Sequence, residues 1–165
     1  MSQGYSMLGF VVVVIEYATI GFLAAAGSVF VSRKFLGPKA EQIFYAMFLI
    51  MVAGFYLAFT AYFGAATAWR MEVTAVVVFA AFGLAGTRVP LALVLGYPLH
   101  GLWDMVHEFQ AHGIQSFFEP SQLTAIPLAY GFFCLVYDLC IAGYAYMRRA
   151  DWSAAWKTRS RGAAV

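Results

Sequence analysis

The stretch LGFVVVVIEYATIGFLAAAGSVFV, residues Leu8–Val31, decides the fold class, because Glu16 is the only charged side chain in it. A helix needs about 20 predominantly apolar residues to cross the hydrocarbon core of a bilayer. The run is too long and too uniformly apolar for a strand with period-two alternation, and an open sheet would leave its backbone unpaired in lipid. It therefore predicts a transmembrane helix.

Four further apolar runs follow along the chain. They are Gln42–Trp69, Glu72–Gly86, Pro90–Phe109 and Leu123–Tyr146. Each predicts a helix for the same reason as the first run. The fold class expected is therefore all-α, a polytopic membrane bundle of five transmembrane helices within residues 1–150, followed by a basic tail over residues 151–165.

Composition excludes most other classes of protein. Of the 165 residues, 63% are hydrophobic and only 11% are charged, and the mean hydropathy is +0.77. Soluble domains carry about 25% charged residues, so a water-soluble globule is not expected, and neither is a disordered or fibrous chain. Cys134 and Cys140 lie on one predicted helix and point in different directions, so they cannot pair. Nothing in the sequence supports nucleic-acid binding.

The basic residues fix the expected orientation. With five spans, the loops alternate between two sides, and only Arg70 falls on one of them. The other side collects Arg33, Lys34, Lys39, Arg88, Arg148, Arg149, Lys157, Arg159 and Arg161. Cytoplasmic loops are enriched in Lys and Arg, so we expect the N-terminus outside and the C-terminus in the cytoplasm.

The first run is expected to be a retained helix rather than a cleaved signal peptide. Ala24, Ala25 and Ala26 resemble a small-residue cleavage site. However, Met1–Met7 carries no positive charge and Glu16 interrupts the apolar run. A secretory signal has a basic start and an uninterrupted apolar centre.

The densest group of polar side chains inside an apolar run is HGLWDMVHE, from His100 to Glu108. At about 100° per residue, Asp104, His107 and Glu108 lie at roughly +40°, −20° and +80° from His100, so all four share one face of the helix. Side chains three or four positions apart are neighbours. His100, Asp104 and His107 are therefore candidate metal ligands.

Depth in the bilayer links this face to other helices. His100 and Asp138 each lie ten residues from the cytoplasmic edge of their spans, at Pro90 and Arg148, or about 15 Å deep. Glu16 lies about 25 Å from that edge, at the level of Asp104. Ionisable groups in hydrocarbon need partners. We therefore expect these side chains to converge in a pocket in the outer half of the bundle.

Two imidazoles and several carboxylates suit a divalent metal, with zinc or iron the candidates. In this hypothesis Asp138 orients His100 or completes the ligand shell, and Glu16 or Glu108 acts as general base on a metal-bound water. The protein would then be an enzyme acting on a lipid or another apolar small molecule. The side chains expected to line its substrate pocket are Tyr62, Trp103, Tyr130 and Cys134.

Several alternatives stay open at this point. The pair of His100 and Asp138 could be a buried hydrogen bond that only fixes helix packing, and the whole group could form a proton or metal-ion pathway. Glu16 could be neutral, and Glu108 could simply be solvated at the interface. The chain would then be a transporter, a homo-oligomer or a non-catalytic subunit of a larger membrane complex.

Two motifs carry a resemblance to a known family. His-x-x-Trp-Asp-x-x-His spans His100–His107, and Pro-x-x-Tyr-x-x-Phe-Cys-x-x-x-Asp spans Pro127–Asp138. Together they resemble a family of small uncharacterised bacterial integral membrane proteins, which implies a multi-pass protein of the bacterial inner membrane. The use of His and Asp on neighbouring helices is also similar to intramembrane hydrolases of the ceramidase and adiponectin-receptor type, although those have seven spans and more histidines. Sterol-isomerase-type membrane proteins, with His and Glu around a lipid, are a looser analogy.

Overall fold

The computed structural model describes residues 7–113 and 118–162, without the side chains of residues 120 and 158–162. The described residues form five α-helices and one 3₁₀ turn, Pro120–Gln122. The helices are α1 Met7–Phe35, α2 Pro38–Tyr62, α3 Trp69–Gly86, α4 Pro90–Ala111 and α5 Tyr130–Gly162. The predicted all-α class is confirmed.

Four of these helices are long and apolar enough to cross a membrane: α1, α2, α3 and, over Tyr130–Lys157, α5. Helix α4 is not among them. It has the 22 residues that a span requires, but it also carries the polar face from His100 to Glu108. Those polar side chains are buried, including His100, Asp104 and His107, so the low hydropathy of α4 comes from its inward face.

Proline and glycine set the helix ends. Helices α2 and α4 begin at Pro38 and Pro90, each after a residue with extended backbone, since proline is tolerated in the first turn of a helix. Helix α2 ends at Tyr62, earlier than the predicted Trp69. Gly64, with φ +64°, adopts the left-handed conformation that commonly terminates a helix.

Helix α5 differs from the prediction at both ends. It begins at Tyr130 rather than Leu123, because Pro127 and the positive φ of Ala129 (57°) interrupt the segment before it. It then continues to Gly162, so most of the predicted tail is part of this helix. The indole of Trp152 is fully buried there and donates to Glu41 over 2.8 Å.

Polar and apolar side chains are distributed in the reverse of the usual order for a soluble protein. Exposed side chains include many of the largest apolar ones, among them Val12, Leu23 and Leu84. The described buried polar and charged side chains are Ser32, Glu41, Gln42, Thr60, Glu72, His100, Asp104, His107, Glu108, Thr124 and Asp138. In water, charged groups are almost never buried to this extent, so the arrangement suits an apolar solvent.

Contacts at the two ends show how the helices alternate. At one end the amide of Gln42 donates to the carbonyl of Gly86, and the guanidinium of Arg88 lies over the Trp156 ring. At the other end Thr67 donates to the carbonyl of Ser121. Successive helices therefore run in opposite directions, and the interface of α4 with α5 lies at the centre.

Glycine allows α4 and α5 to approach closely. A Cβ at Gly131 would lie 2.7 Å from the Cβ of Glu108 and 2.8 Å from the carbonyl oxygen of Asp104. A Cβ at Gly101 would lie 3.1 Å from the Cα of Leu135. Because Gly101 on α4 and Gly131 on α5 have no side chain, the two helices can pack closely, and the polar face of α4 lies directly against α5.

Candidate metal centre

Helices α4 and α5 bring His100, Asp104 and Asp138 together in one buried group. The Nδ1 atom of His100 lies 2.9 Å from Oδ2 of Asp138 and 3.1 Å from Oδ2 of Asp104. All three side chains are at most 2% exposed. His100 and Asp104 are one turn apart on α4, and Asp138 faces them from α5, so the predicted convergence of these side chains is found.

The group has the geometry of a metal site. One ligand atom from each of His100, Asp104 and Asp138 lies within 4.8 Å of the other two. With bonds of about 2.1 Å, ligands on adjacent corners of a tetrahedral or octahedral site lie roughly 3.0 to 3.4 Å apart. The distances of 2.9 and 3.1 Å from Nδ1 to the two carboxylates are close to that spacing.

Two atoms of this group lack hydrogen-bond partners among the described residues. They are Nε2 of His100 and Oδ2 of Asp104. Burying a polar atom without a partner costs free energy, and most such atoms in folded proteins have one. A carboxylate oxygen is a good ligand for zinc or iron, so a cation bound by Nδ1 of His100 and the two carboxylates would satisfy Oδ2 of Asp104.

Phenol and thiol groups surround the carboxylates. The hydroxyl of Tyr56 on α2 donates to Oδ1 of Asp104, which leaves Oδ2 as the free oxygen. The thiol of Cys134 lies beside Asp104 and the hydroxyl of Tyr130. The ring of Phe79 packs edge-on against His100 with centroids 5.0 Å apart. Hydroxyl and thiol groups thus surround the carboxylate of Asp104, and an apolar ring covers the imidazole of His100.

His107 belongs to a separate cluster. Its Nε2 lies 2.9 Å from Oε1 of Glu72, and its Nδ1 lies 3.0 Å from the carbonyl oxygen of Trp103. The backbone amide of Thr124 donates to the same Oε1 over 2.8 Å. The predicted ligand His107 is therefore engaged by α3 rather than by Asp104, because it lies towards the C-terminal end of α4, next to Glu72 in the first turn of α3.

Glu108 caps a helix and does not face the group around His100. Its Oε1 accepts from the amide of Ala129 over 3.2 Å, and its Oε2 accepts from the amide of Gly131 over 3.0 Å. His112 also lies 2.9 Å from Oε1. Because α5 starts here, a carboxylate satisfies otherwise unpaired amides and favours the positive end of the helix dipole. The predicted role of Glu108 as general base has no support in this geometry.

Two other predicted site residues lie outside the group. Glu16 is exposed on α1, which packs mainly against α5, so it does not join the carboxylates of α4. Tyr62 is 83% exposed at the end of α2, and Tyr56 is the α2 residue that points inward.

Of the remaining predicted pocket residues, Tyr130 and Cys134 adjoin Asp104, whereas Trp103 packs on His107 with ring centroids 5.1 Å apart.

The sequence interpretation missed three buried partners: Glu41, Tyr56 and Glu72. Glu41 accepts from Trp152, from the hydroxyl of Tyr144 and from Arg148, whose Nη2 lies 3.1 Å away. Glu41 and Glu72 lie near the ends of apolar runs, where a carboxylate is expected to be solvated. The sequence offers one signal for them, which is the small number of acidic residues in so apolar a chain: there are eight, and five of them are buried.

Residues 17–151 match a family described as a family of unknown function, DUF6010. The matched region contains both buried clusters and the whole of α2, α3 and α4. No curated protein and no solved structure matches the chain.

Proposed function

The chain belongs to DUF6010, a family of unknown function, and we propose that it is an integral membrane enzyme with a divalent metal at His100, Asp104 and Asp138. The observation that carries the proposal is the buried imidazole with two carboxylate oxygens within 3.1 Å of its Nδ1. Ionisable side chains at membrane depth are expensive and usually functional.

Five spans with the N-terminus outside complete the proposal. Helix α4 becomes a span because its polar face is buried against α5 and its outward residues, such as Leu91, Leu95 and Leu102, are exposed and apolar. The alternation of the five helices places Arg33, Arg88 and Arg148 at one end. That end is the cytoplasmic one by the positive-inside rule.

A labelling experiment tests this topology. Ser121 and Ala40 are both exposed and lie at opposite ends of the bundle. Ser121→Cys should react with a membrane-impermeant thiol reagent on intact cells, and Ala40→Cys should react only after permeabilisation. The reverse pattern would invert the orientation, and labelling of both residues on intact cells would remove the five-span topology.

The metal site is tested by spectroscopy. Cobalt(II) added to the purified metal-free protein should give visible absorption bands of a site with nitrogen and oxygen ligands. The bands should be lost in Asp104→Ala and kept in Asp151→Ala, which removes an exposed carboxylate from α5. Identical spectra from both variants and the wild type would place the metal elsewhere.

The enzymatic part of the proposal concerns what surrounds the metal. A metal ion in this group would act as a Lewis acid or lower the pKa of a bound water. Tyr56 would hold Asp104 in place as a ligand, and the hydroxyl of Tyr130 and thiol of Cys134 lie beside it. Because the outward surface is apolar, the substrate would be a lipid or another apolar small molecule, reaching the site from the membrane.

An enzyme can be distinguished from a non-catalytic subunit with lipids. The metal-loaded protein would be incubated with a total lipid extract, and the products compared by mass spectrometry with those from Asp104→Ala. An enzyme consumes a lipid in the wild-type sample only. Identical lipid profiles, with metal bound in the wild type, would favour a structural role for the centre.

A further inference from the structure

A second group of buried polar atoms lies around His107, apart from the proposed metal centre. Three of its atoms have no hydrogen-bond partner among the described residues: Oε2 of Glu72, Nε1 of Trp103 and Oγ1 of Thr124. Glu72 is fully buried and Thr124 is 4% exposed. We propose that these atoms bind the hydroxyl group of a membrane-resident alcohol.

The hydrogen bonds of His107 define what Glu72 can accept. Both nitrogens of His107 face oxygen atoms, the carbonyl of Trp103 and Oε1 of Glu72. One proton must therefore lie between His107 and Glu72, either on the imidazole or on Oε1. In both arrangements Oε2 of Glu72 has no proton and can only accept a hydrogen bond.

The other two atoms complete the requirement for a hydroxyl group. The indole Nε1–H of Trp103 is a donor only, and the hydroxyl of Thr124 can donate or accept. A single group that satisfies these atoms would donate to Glu72 and accept from Trp103. A hydroxyl group does both, whereas a carboxylate cannot donate and an ammonium group cannot accept.

The surroundings favour an alcohol with an apolar chain over a lone water. A cleft of about 460 Å³ is lined by sequence neighbours of this group: by Met71 and Thr74, which flank Glu72 on α3, by Gln122, which precedes Thr124 by two residues, and also by Thr67 and Arg70. At about 30 Å³ for each water molecule, that volume is roughly fifteen times what one water needs. The ring of Phe118 also packs on Trp103, with centroids 5.5 Å apart.

The metal centre and this hydroxyl site are connected by Tyr56. Its ring lies 4.5 Å from the ring of His107, centroid to centroid, and its hydroxyl donates to Asp104. However, none of the three unpartnered atoms belongs to a proposed metal ligand. Binding of the alcohol can therefore be tested with or without metal, so failure of one proposal does not affect the other.

The test uses the full chain in lipid nanodiscs, once with metal and once after chelation. The probes are 1-dodecanol and dodecane, which differ only in the hydroxyl group. A ligand that binds only the folded state raises the midpoint of thermal unfolding, so 1-dodecanol should raise it and dodecane should not. Trp103→Phe and Thr124→Val should each reduce the shift, and Trp69→Phe and Thr19→Val, at exposed positions outside the cleft, should keep it.

One variant also gives a result without added alcohol. Valine is close to isosteric with threonine, and replacing an unpartnered buried hydroxyl by an apolar group is neutral or stabilising, so Thr124→Val should unfold at or above the wild-type midpoint when no alcohol is present. Equal shifts with 1-dodecanol and dodecane, or equal 1-dodecanol shifts in the wild type, Trp103→Phe and Thr124→Val, would overturn the proposal.

Discussion

His100 and Asp138 face each other across the interface of α4 and α5, where Nδ1 of His100 lies 2.9 Å from Oδ2 of Asp138. They are 38 residues apart in the sequence, and Asp104 lies 3.1 Å from the same nitrogen of His100. The proposed site depends on this contact.

Asp138→Asn should weaken metal binding while the protein still folds. Asn keeps the size of the side chain and one oxygen that can face the metal, but the negative charge that favours the metal is lost. Altering even a carboxylate outside the ligand shell lowers metal affinity by about 10- to 100-fold, so the loss here should be at least of that order. Competition with a zinc indicator measures the affinity, and Asp151→Asn, at an exposed carboxylate of the same helix, should leave it unchanged.

Gly131→Ala should destabilise the interface of α4 and α5. The new Cβ would meet the Cβ of Glu108 at 2.7 Å and the backbone of Asp104 at 2.8 Å, so the helices must separate. Overpacking of this kind costs about 1 to 3 kcal/mol. Thermal unfolding in detergent measures the effect.

Gly143→Ala is the matched control, because a Cβ there has no neighbour within 4 Å. Alanine is more favourable than glycine in a helix by roughly 1 kcal/mol, so this variant should be at least as stable as the wild type. Equal stability of the two glycine variants would contradict the close packing described here.

Glu108→Ala should loosen the start of α5 without removing the metal. The change leaves the amides of Ala129 and Gly131 without their acceptor, which costs about 1 to 3 kcal/mol for buried groups. Hydrogen exchange should become faster at Gly131, and cobalt absorption should persist. Loss of the cobalt bands with unchanged exchange would instead support the role of Glu108 near the metal that the sequence predicted.

Glu41→Ala should release the C-terminal end of α5. The carboxylate of Glu41 is 1% exposed and accepts from Trp152 and Arg148. Removing the carboxylate leaves the buried indole N–H of Trp152 without its acceptor, which costs about 1 to 3 kcal/mol. Trypsin should then cleave after Lys157 more rapidly than in the wild type, whereas Asp151→Ala, which removes the exposed partner of Arg148, should have little effect. Similar cleavage rates in both variants would show that Glu41 does not anchor this helix.

The sequence predicted the helical class and the pairing of α4 with α5 because both follow from the cost of polar groups in lipid. Apolar runs of sufficient length become helices, and polar side chains at equal depth on consecutive helices have few alternative partners. His100, Asp104 and Asp138 were therefore predictable as a group.

The remaining partners of the site were not predictable from depth alone. Glu72 and Tyr56 come from α3 and α2, and their contacts with α4 depend on how these helices rotate about their axes. His107 was predicted to share a helix face with Asp104. Such a face is about 100° wide, so two side chains on it can contact different helices, and the imidazole of His107 contacts Glu72 of α3. The exposure of Glu16 also depends on how a helix is rotated about its axis, because α1 packs against Phe133 of α5 through Gly21.

Elemental analysis of the purified protein tests the central claim most directly. The wild type and His112→Ala, a histidine outside the proposed centre, should each retain about one zinc or iron ion per chain. His100→Ala and Asp104→Ala should retain almost none while still unfolding cooperatively. Wild-type protein without a stoichiometric metal, or His100→Ala with the same metal content as the wild type, would contradict the claim that this buried group is a metal centre.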